Sequence, residues 1–384
     1  MRTNTKNFGI YIKQGATLPV APANFIEVDE KILLTPNVTV ENFKRFNGKL
    51  GANDSYVDTC NTAVEGISVS HKMRFQNSAA DALDTIPDYG ELLKISGFTE
   101  NVDSTPAAES VTYTWDTSAS PALGSAVYYI DGNKQTMTNT IAGNAVFNFE
   151  IGKSAMLNFA MSGFLDNKGI SSKATLVLTS VAGLEVGNTL TGDTSGAFGI
   201  VLAINGTSVS LRAVTGTFAT GGEDLNTAAY TSTSAVQGNP VTALSDEGCL
   251  IVGCADIYTE DGTQLNPTNI SIDMGSQINK FYGMGLKEYQ LTDFEPKITT
   301  DFYLDNADYN DAMQKLIDQS YVNVVIKLGT LNGAEVNGKT VLFTINNVKF
   351  STFSDADDQD TIKRTHELML TATSTFTIRH GFFA

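Results

Sequence analysis

Residues 333–340 carry the most specific motif in the sequence, the GxxxxGK[ST] pattern of nucleotide-binding phosphate loops. A working loop of this kind leads into a helix whose first backbone amides hold the phosphates. The residues that follow, 341–345, read Val-Leu-Phe-Thr-Ile and alternate in a way that predicts a strand. We therefore interpret residues 329–339 as a hairpin connection between two strands, and we expect no nucleotide binding there.

An acidic cluster near the carboxyl end is a candidate calcium site. Residues 355–360 read Asp-Ala-Asp-Asp-Gln-Asp, and Ca²⁺ prefers oxygen ligands of this type. The segment lacks the central glycine and the distant glutamate of an EF-hand loop, so we interpret it as a solvent-exposed acidic loop. Asp305, Asp308 and Asp311 also fail this template and fit the first turn of a helix.

The histidines and cysteines are few and form no catalytic pattern. His71 and His366 alternate with apolar residues, which predicts histidines buried in the core, and His380 has no recognisable partner. The three cysteines match no common zinc spacing and are interpreted as reduced, structural thiols: Cys60, Cys249 and Cys254. The sequence thus predicts a protein that is not an enzyme and that has no catalytic residue, cofactor or metal.

Composition limits the classes of protein further. The 384 residues allow two or three domains, and 42% of them are hydrophobic, too many for a disordered chain. A net charge of −17 makes tight wrapping by nucleic acid unfavourable. The sequence has no long apolar run and no secretory signal after Met1, so we expect no membrane association and folding in the cytoplasm.

Alternation of apolar and polar residues dominates the chain and predicts a mainly β protein. The clearest alternating segments are 67–75, 145–151, 155–161, 322–328 and 366–378. Gly152-Lys153 and Asp131-Gly132 lie between such runs and suit tight hairpin turns.

Two segments show helical signals. The first lies near 78–96, with Ser78 as a possible cap and Pro87 as an interruption. The second covers 306–318, with Asn306 as the cap. Its predicted apolar face consists of Tyr309, Met313, Leu316 and Ile317.

The order strand, helix, strand, strand occurs in both halves of the chain and predicts a duplicated β-sandwich or barrel, each half with a short flanking helix. The alternative is one large sandwich whose strands merely look alike. Residues 171–245 contain only six charged residues and predict a small inserted β domain. The expected divisions are an arm at 1–34, a first half at 35–170, the insert at 171–245 and a second half at 246–384.

A longer series of sequence features, taken in order along the chain, is similar to that of a known protein family. It starts with Thr35-Pro36 and Arg45, continues with EGISVSHKMRF at 65–75, and reaches IPDYGELLKISGF at 86–98. Further along it includes Tyr113, YYIDG at 128–132, the run from Gly143 to Phe149, Phe159 and Gly163-Phe164. In this order the features resemble the major tail tube proteins of long-tailed bacteriophages, in particular those with non-contractile tails (siphophages). Residues 265–384 look like the carboxyl-terminal part of that family, and 192–201 with 214–218 look like a small module of phage virion proteins.

The resemblance implies a structural protein of the virion tail that self-assembles in the bacterial host cytoplasm. Subunits of this family form stacked rings whose inner sheets join into a barrel, the channel for viral DNA during genome ejection. A duplicated chain implies rings of three copies with pseudo-sixfold symmetry, and an unduplicated chain implies six. Other expected partners are the tape measure, tail terminator and distal tail proteins. DNA would pass without tight binding, since a lumen of the chain's negative charge repels it.

The resemblance also implies a contact between rings, through a long loop in the polar stretch 45–62. The residues expected to make this contact are Arg45, Asn47, Lys49, Asn53, Asp54, Tyr56 and Asp58. The alternative is a plain surface loop. The insert is expected on the outer wall of the tube, because its size would obstruct a channel. A second candidate function is a tail-tip or fibre-type β protein that binds the host surface, although the single tryptophan, Trp115, is sparse for binding sugars.

Overall fold

Antiparallel strands make up most of the computed structural model of this chain. The structure describes residues 8–16, 19, 25–26, 28, 32, 40–44, 53–57, 63–74, 83–115, 122–130, 133–167, 174–178, 181, 184–185, 188–205, 208–215, 218, 225, 250–253, 256–283, 286–303, 309–331, 334–358, 361–381 and 383. The three cysteines lie outside these residues. The predicted mainly β fold is confirmed.

The first part of the chain contains ten strands and one helix. They are β1 (Phe8–Gln14), β2 (Phe25–Ile26), β3 (Val40–Lys44), β4 (Asn53–Val57), β5 (Ala63–Lys72), α1 (Gly90–Ile95), β6 (Phe98–Asp103), β7 (Ser110–Trp115), β8 (Gly124–Ile130), β9 (Asn133–Glu150) and β10 (Met156–Asn167).

The remaining elements are β11 (Ala174–Val177), β12 (Thr189–Thr191), β13 (Phe198–Asn205), β14 (Ser208–Thr215), β15 (Ile257–Glu260), β16 (Thr263–Leu265), β17 (Pro267–Asp273), β18 (Ser276–Gly283), β19 (Leu286–Phe294), β20 (Lys297–Tyr303), α2 (Tyr309–Asp318), β21 (Val322–Leu328), β22 (Val341–Asp358) and β23 (Thr361–Gly381).

The second half of the chain repeats the strand pairing of the first. The first repeat has the antiparallel order β2-β1-β8-β9-β10-β5, and the second has the order β16-β15-β21-β22-β23-β20. A two-stranded hairpin precedes β5 and another precedes β20, and one helix follows each of these strands. The predicted duplication is therefore confirmed. The β6-β7 hairpin has no counterpart between α2 and β21.

The two repeats join in one layer, which we call the seven-strand layer, of order β5-β10-β9-β17-β20-β23-β22. The junction is at the carboxyl end of β9, where residues 146–148 pair with β10 on one side and β17 on the other. This pairing is non-local, since the insert separates β9 from β17 along the chain.

One face of the seven-strand layer is apolar and forms a single core shared by both repeats. Phe147 and Phe149 of β9 pack against Phe343 of β22, with ring centroids 5.7 and 5.1 Å apart. Phe147 also meets Phe376 of β23 at 5.8 Å. Each fully buried side chain of this size contributes about 1.5–3 kcal/mol to folding. The core therefore holds the two repeats together as one body.

Residues of the predicted insert form a separate four-stranded sheet of order β11-β14-β13-β12. It has a small core of its own, centred on Leu190, Val201 and Leu211. Ile200 of this sheet packs against Tyr11 and Val127, which face each other across β1 and β8. The neighbouring residues on β1 face the main core. The β1-β8 sheet thus lies between the main core and the inserted sheet.

Both helices differ from the sequence prediction. The first covers only Gly90–Ile95, because Pro87 and its neighbours form no helix, and Ser78 lies outside the described residues. The second begins at Tyr309, and Asn306 is likewise outside. Its predicted apolar face is correct for Leu316, which packs against the main core, but wrong for Met313 and Ile317, which are 38% and 67% exposed. Ala312 is buried instead, and the Tyr309 side chain lies outside the described part of the structure. No helix in the described part of the chain is long and apolar enough to cross a membrane.

The phosphate-loop motif lies in a connection between two strands, as the alternation of the residues after it predicted. β21 and β22 pair as antiparallel strands, and the connection between them contains the motif. Val341 begins β22, so Lys339-Thr340 lead into a strand. The predicted hairpin connection is confirmed. The acidic segment is different from its prediction, since Asp355 to Asp358 belong to β22 and not to a loop, with Asp355 and Asp357 exposed and Asp358 half-buried.

Candidate assembly surfaces

The polar stretch predicted to contact a neighbouring ring includes one strand of a two-stranded hairpin. Asn53, Asp54 and Tyr56 lie in β4, which pairs with β3 from Val40 opposite Val57 to Lys44 opposite Asn53. The other four predicted contact residues lie outside the described part of the chain: Arg45, Asn47, Lys49 and Asp58. The interpretation as a loop throughout is therefore wrong for residues 53–57, because β4 satisfies its backbone groups against β3.

The equivalent hairpin of the second repeat, β18-β19, is anchored to the first repeat. Gly143 of β9 allows close approach, since a Cβ there would lie 2.6 Å from Ile278 Cγ1. The Tyr289 hydroxyl donates a hydrogen bond to Glu65 at 3.0 Å, and Lys280 Nζ lies 3.3 Å from the same carboxylate. These contacts fix the hairpin beside β5 and β10, at one end of the seven-strand layer.

The second face of the seven-strand layer is polar, and we call it the polar face. Pairing registers place on it the hydroxyl and amide side chains of Ser68, Ser70, Asn148, Asn158, Asn269, Ser271, Thr299, Thr365, Thr352 and Ser354. They are half-buried or exposed and alternate with core residues along each strand. The polar face lies opposite the core, and hence on the other side of the molecule from the inserted sheet.

Charges on the polar face nearly balance. Among the described residues they are the lysines Lys72, Lys297, Lys349 and Lys363, and the acids Glu150, Asp273, Asp301, Asp358 and Glu367. Lys363 and Asp301 form an ion pair at 3.3 Å. The net charge of −17 is therefore not concentrated on this face. The expectation of a strongly acidic lumen does not apply to the polar face.

The free end of the β22-β23 hairpin is held by a buried arginine. Arg364 is fully buried and donates two hydrogen bonds to Asp355, at 2.6 and 2.8 Å. Its guanidinium also lies 4.7 Å from the centre of the Phe353 ring. The Arg364 hydrogen bonds lower the pKa of the Asp355 carboxyl. The ion pair thus fixes the strand end that carries the acidic cluster.

All three histidines are buried, which confirms the core prediction for His71 and His366. His366 Nδ1 lies 3.2 Å from the buried Glu260 carboxylate, and His71 Nε2 lies 3.2 Å from Asp88. Burial lowers the pKa of His380 to about 4. Burial also raises the pKa of Tyr89, whose hydroxyl oxygen lies within hydrogen-bond distance of His380 Nε2, at 2.7 Å.

In the described residues no group of three or more His, Cys, Asp or Glu side chains is arranged to hold a metal ion. The sequence interpretation also missed that β22 continues to Asp358, and that its last five residues pair with β23 and with no other described strand. Apolar–polar alternation gave no signal for this part, because residues 354–358 are polar or small on both faces of the strand.

Comparison with known proteins finds similar chains among solved structures, including the two described next. A chain of the sheath-tube complex of an extracellular contractile injection system, the PVC, in its extended state is 14% identical, with a TM-score of 0.26, over 33% of this chain and 88% of that chain. Hcp2 from Salmonella typhimurium is 11% identical, with a TM-score of 0.19, over 34% and 96%. Both TM-scores are too low to carry an argument. No protein-family model and no curated protein matches the chain.

Proposed function

We propose that this chain is a structural subunit that self-assembles into stacked rings and forms the tail tube of a siphophage, the conduit for its DNA. In this proposal it catalyses no reaction and binds no cofactor. It assembles in the cytoplasm of the bacterial host and becomes part of the virion tail. Tape measure, tail terminator and distal tail proteins are its further partners.

The observation that carries this proposal is the seven-strand layer with one core face and one polar face. Two equivalent repeats extend the same layer, so that further repeats added in the same way would continue it. A sheet closed on itself removes the edge strands that would otherwise promote aggregation. A closed ring with the polar face inside would leave the inserted sheet outside, on the outer wall.

The polar face suits the passage of DNA. Its hydroxyl and amide groups are uncharged, and its four lysines are matched by carboxylates on the same face. Tight phosphate binding depends on uncompensated Lys and Arg side chains, which release counterions from DNA. In this proposal DNA slides past a nearly neutral wall, without the repulsion expected from the overall charge.

We propose three copies in a ring. Each copy contributes two equivalent repeats, so three copies give pseudo-sixfold symmetry inside a closed cyclic assembly. Rings would then stack through the β3-β4 hairpin, because the predicted contact residues lie between its two strands, in β4 or, for Asp58, directly after β4.

The stacking contact can be tested by shortening the hairpin. Residues 45–52 are replaced with Asn-Gly, a turn that retains the pairing of β3 with β4. The control replaces residues 359–360, which connect β22 to β23, with the same dipeptide. Sedimentation velocity should show tubes for the wild type and the control, and single rings or subunits for the shortened hairpin. Normal tubes from the shortened variant would contradict a role in stacking.

The second candidate function, a host-binding tail-tip or fibre protein, has less support. Sugar-binding surfaces commonly present exposed aromatic rings, yet Trp115 is buried and packs on Phe294 with ring centroids 5.5 Å apart. Binding of purified protein to bacterial cells, in the absence of self-assembly, would favour this alternative.

A further inference from the structure

The internal repeat shows which residues of β22 correspond to the junction in β9. Both strands have 18 residues. The eighth residue of β9, Thr140, is opposite Gly124, and the eighth residue of β22, Val348, is opposite Val322. These pairs are the last ones with β8 and with β21, respectively. Beyond them, the final five residues of β9 pair with β17, and their counterparts in β22 are residues 354–358.

Residues 354–358 form an open edge among the described strands. They pair with β23 from Ser354 opposite Thr365 to Asp358 opposite Thr361, and no described strand lies on their other side. The corresponding edge of β9 is covered by β17. An open edge presents unpaired backbone donors and acceptors, which is the usual site for adding a strand.

The opposite end of the seven-strand layer is open in the same way. Among the described strands β5 pairs only with β10, whereas its counterpart β20 pairs with both β23 and β17. β17 thus bridges one repeat to the next, between β9 and β20. The open edge of β22 corresponds to the β9 side of the junction, and the open edge of β5 corresponds to the β20 side. Within one copy neither edge has the strand that β17 provides between β9 and β20.

We propose that the edge formed by residues 354–358 of one copy pairs with the amino-terminal repeat of a second copy, through a strand in the position that β17 holds between β9 and β20. The inference rests on the proposed function, and it adds the surface and the register. In this arrangement Asp357 is the counterpart of Phe149, which is opposite Ile270 of β17.

The acidic side chains of this edge have a role in the same arrangement. Asp357 is exposed, whereas Asp358 is half-buried and accepts a hydrogen bond from Tyr303, and Asp355 is engaged by Arg364. Charged residues on an open edge discourage pairing with unrelated strands. The edge therefore resists random association until a partner of matching shape and register meets it.

A single backbone donor can be removed to test this pairing. Only two residues connect Asp358 to Thr361, and the closing pair of such a hairpin exchanges backbone hydrogen bonds. Hydrogen-bonded pairs alternate along antiparallel strands, so we expect the N–H of Asp357 to lie on the open edge. Asp357→Pro removes this donor, and Asp357→Asn removes the same charge but retains the donor.

The experiment compares full-length wild type, Asp357→Asn and Asp357→Pro by sedimentation velocity and by hydrogen exchange of peptides covering 349–358. We expect wild type and Asp357→Asn to assemble, and Asp357→Pro to lose assembly at least tenfold with an unchanged melting temperature of the subunit. In wild-type assemblies the 349–358 peptides should exchange at least tenfold more slowly than in subunits, a readout that needs no variant.

Two outcomes would overturn the inference, and they are distinguishable. If wild-type protein assembles while peptides 349–358 exchange as in free subunits, or if Asp357→Pro assembles like Asp357→Asn, this edge is not the interface and the proposed function stands. If wild-type protein remains a subunit at every concentration and salt condition, both the inference and the proposed function fail.

Discussion

Asn139 and Asn347 hold the same position, the seventh residue, in the equivalent strands β9 and β22, and both have a left-handed backbone, with φ of 48° and 59°. Asparagine tolerates this conformation better than most residues other than glycine. Each lies next to the last pair that its strand makes with β8 or β21. The two repeats therefore share a backbone feature at the point where a long strand stops pairing with β8 or β21 and continues in the seven-strand layer.

Acid should destabilise the subunit through His380. Its pKa of about 4 in the folded protein lies below the value of about 6.5 expected in the unfolded chain. As the pH falls below about 6.5 the unfolded chain takes up the proton first, so the folded state loses up to about 3 kcal/mol by pH 4.

The measurement is urea unfolding of wild type and His380→Gln from pH 7 to pH 4.5. Groups common to both proteins cancel in the difference. The variant should be less stable at pH 7, since it disturbs the contact with Tyr89, but its stability should depend less on pH. Parallel pH profiles would show that His380 does not contribute to acid sensitivity.

Removal of the Asp355 carboxylate should lower the free energy of unfolding more than removal of the Asp357 carboxylate. Asp355→Ala deprives the buried Arg364 of two hydrogen bonds, and leaving such a buried donor unsatisfied costs about 1–3 kcal/mol. Asp357→Ala changes an exposed side chain of the same strand and should stay within about 0.5 kcal/mol. Free energies of urea unfolding provide the comparison, and equal effects of the two changes would contradict the role of Arg364.

Helix α2 should tolerate polar residues on the face that the sequence pattern predicted to be buried. Met313→Gln with Ile317→Lys should change stability by about 0.5 kcal/mol or less, because both side chains are exposed. Ala312→Asp places a charge in the contact with β22 and should cost at least about 2 kcal/mol. Melting temperatures of the variant subunits distinguish the two faces of α2. A larger loss for Met313→Gln with Ile317→Lys than for Ala312→Asp would support the face predicted from the sequence.

The inserted sheet should be dispensable for tube formation. Removal of residues 172–245 exposes Tyr11 and Val127, which now pack against Ile200, so both are changed to Thr in the same variant. We expect electron micrographs of this variant to show tubes of smaller outer diameter and unchanged channel. Loss of tubes, with subunits that still fold, would show that the insert takes part in assembly.

Much of the strand content could be predicted from the sequence, because a period of two is a strong signal. Ile67 and Val69 alternate with Ser68 and Ser70, and both face the core. The buried histidines could be predicted for the same reason. The length of α1 could not, since the described residues before it, 83–89, form no helix. The contact face of α2 could be predicted only in part, because the small Ala312, and not Met313, is buried in the main core.

The junction of the repeats was beyond prediction from sequence. β9 and β17 are separated by the insert, and period-two patterns do not specify which strand pairs with which. The assembly residues were predicted from the family resemblance, and β4 now places Asn53, Asp54 and Tyr56 in a hairpin strand. The remaining four, Arg45, Asn47, Lys49 and Asp58, stay a prediction.

The most direct test of the central claim is negative-stain electron microscopy of the purified, full-length protein at high concentration and over a range of salt. The account predicts hollow tubes or stacked rings, with end views that show three outer projections around a ring of pseudo-sixfold symmetry. Subunits that remain monomeric under all conditions, including the presence of tail initiation proteins, would contradict it.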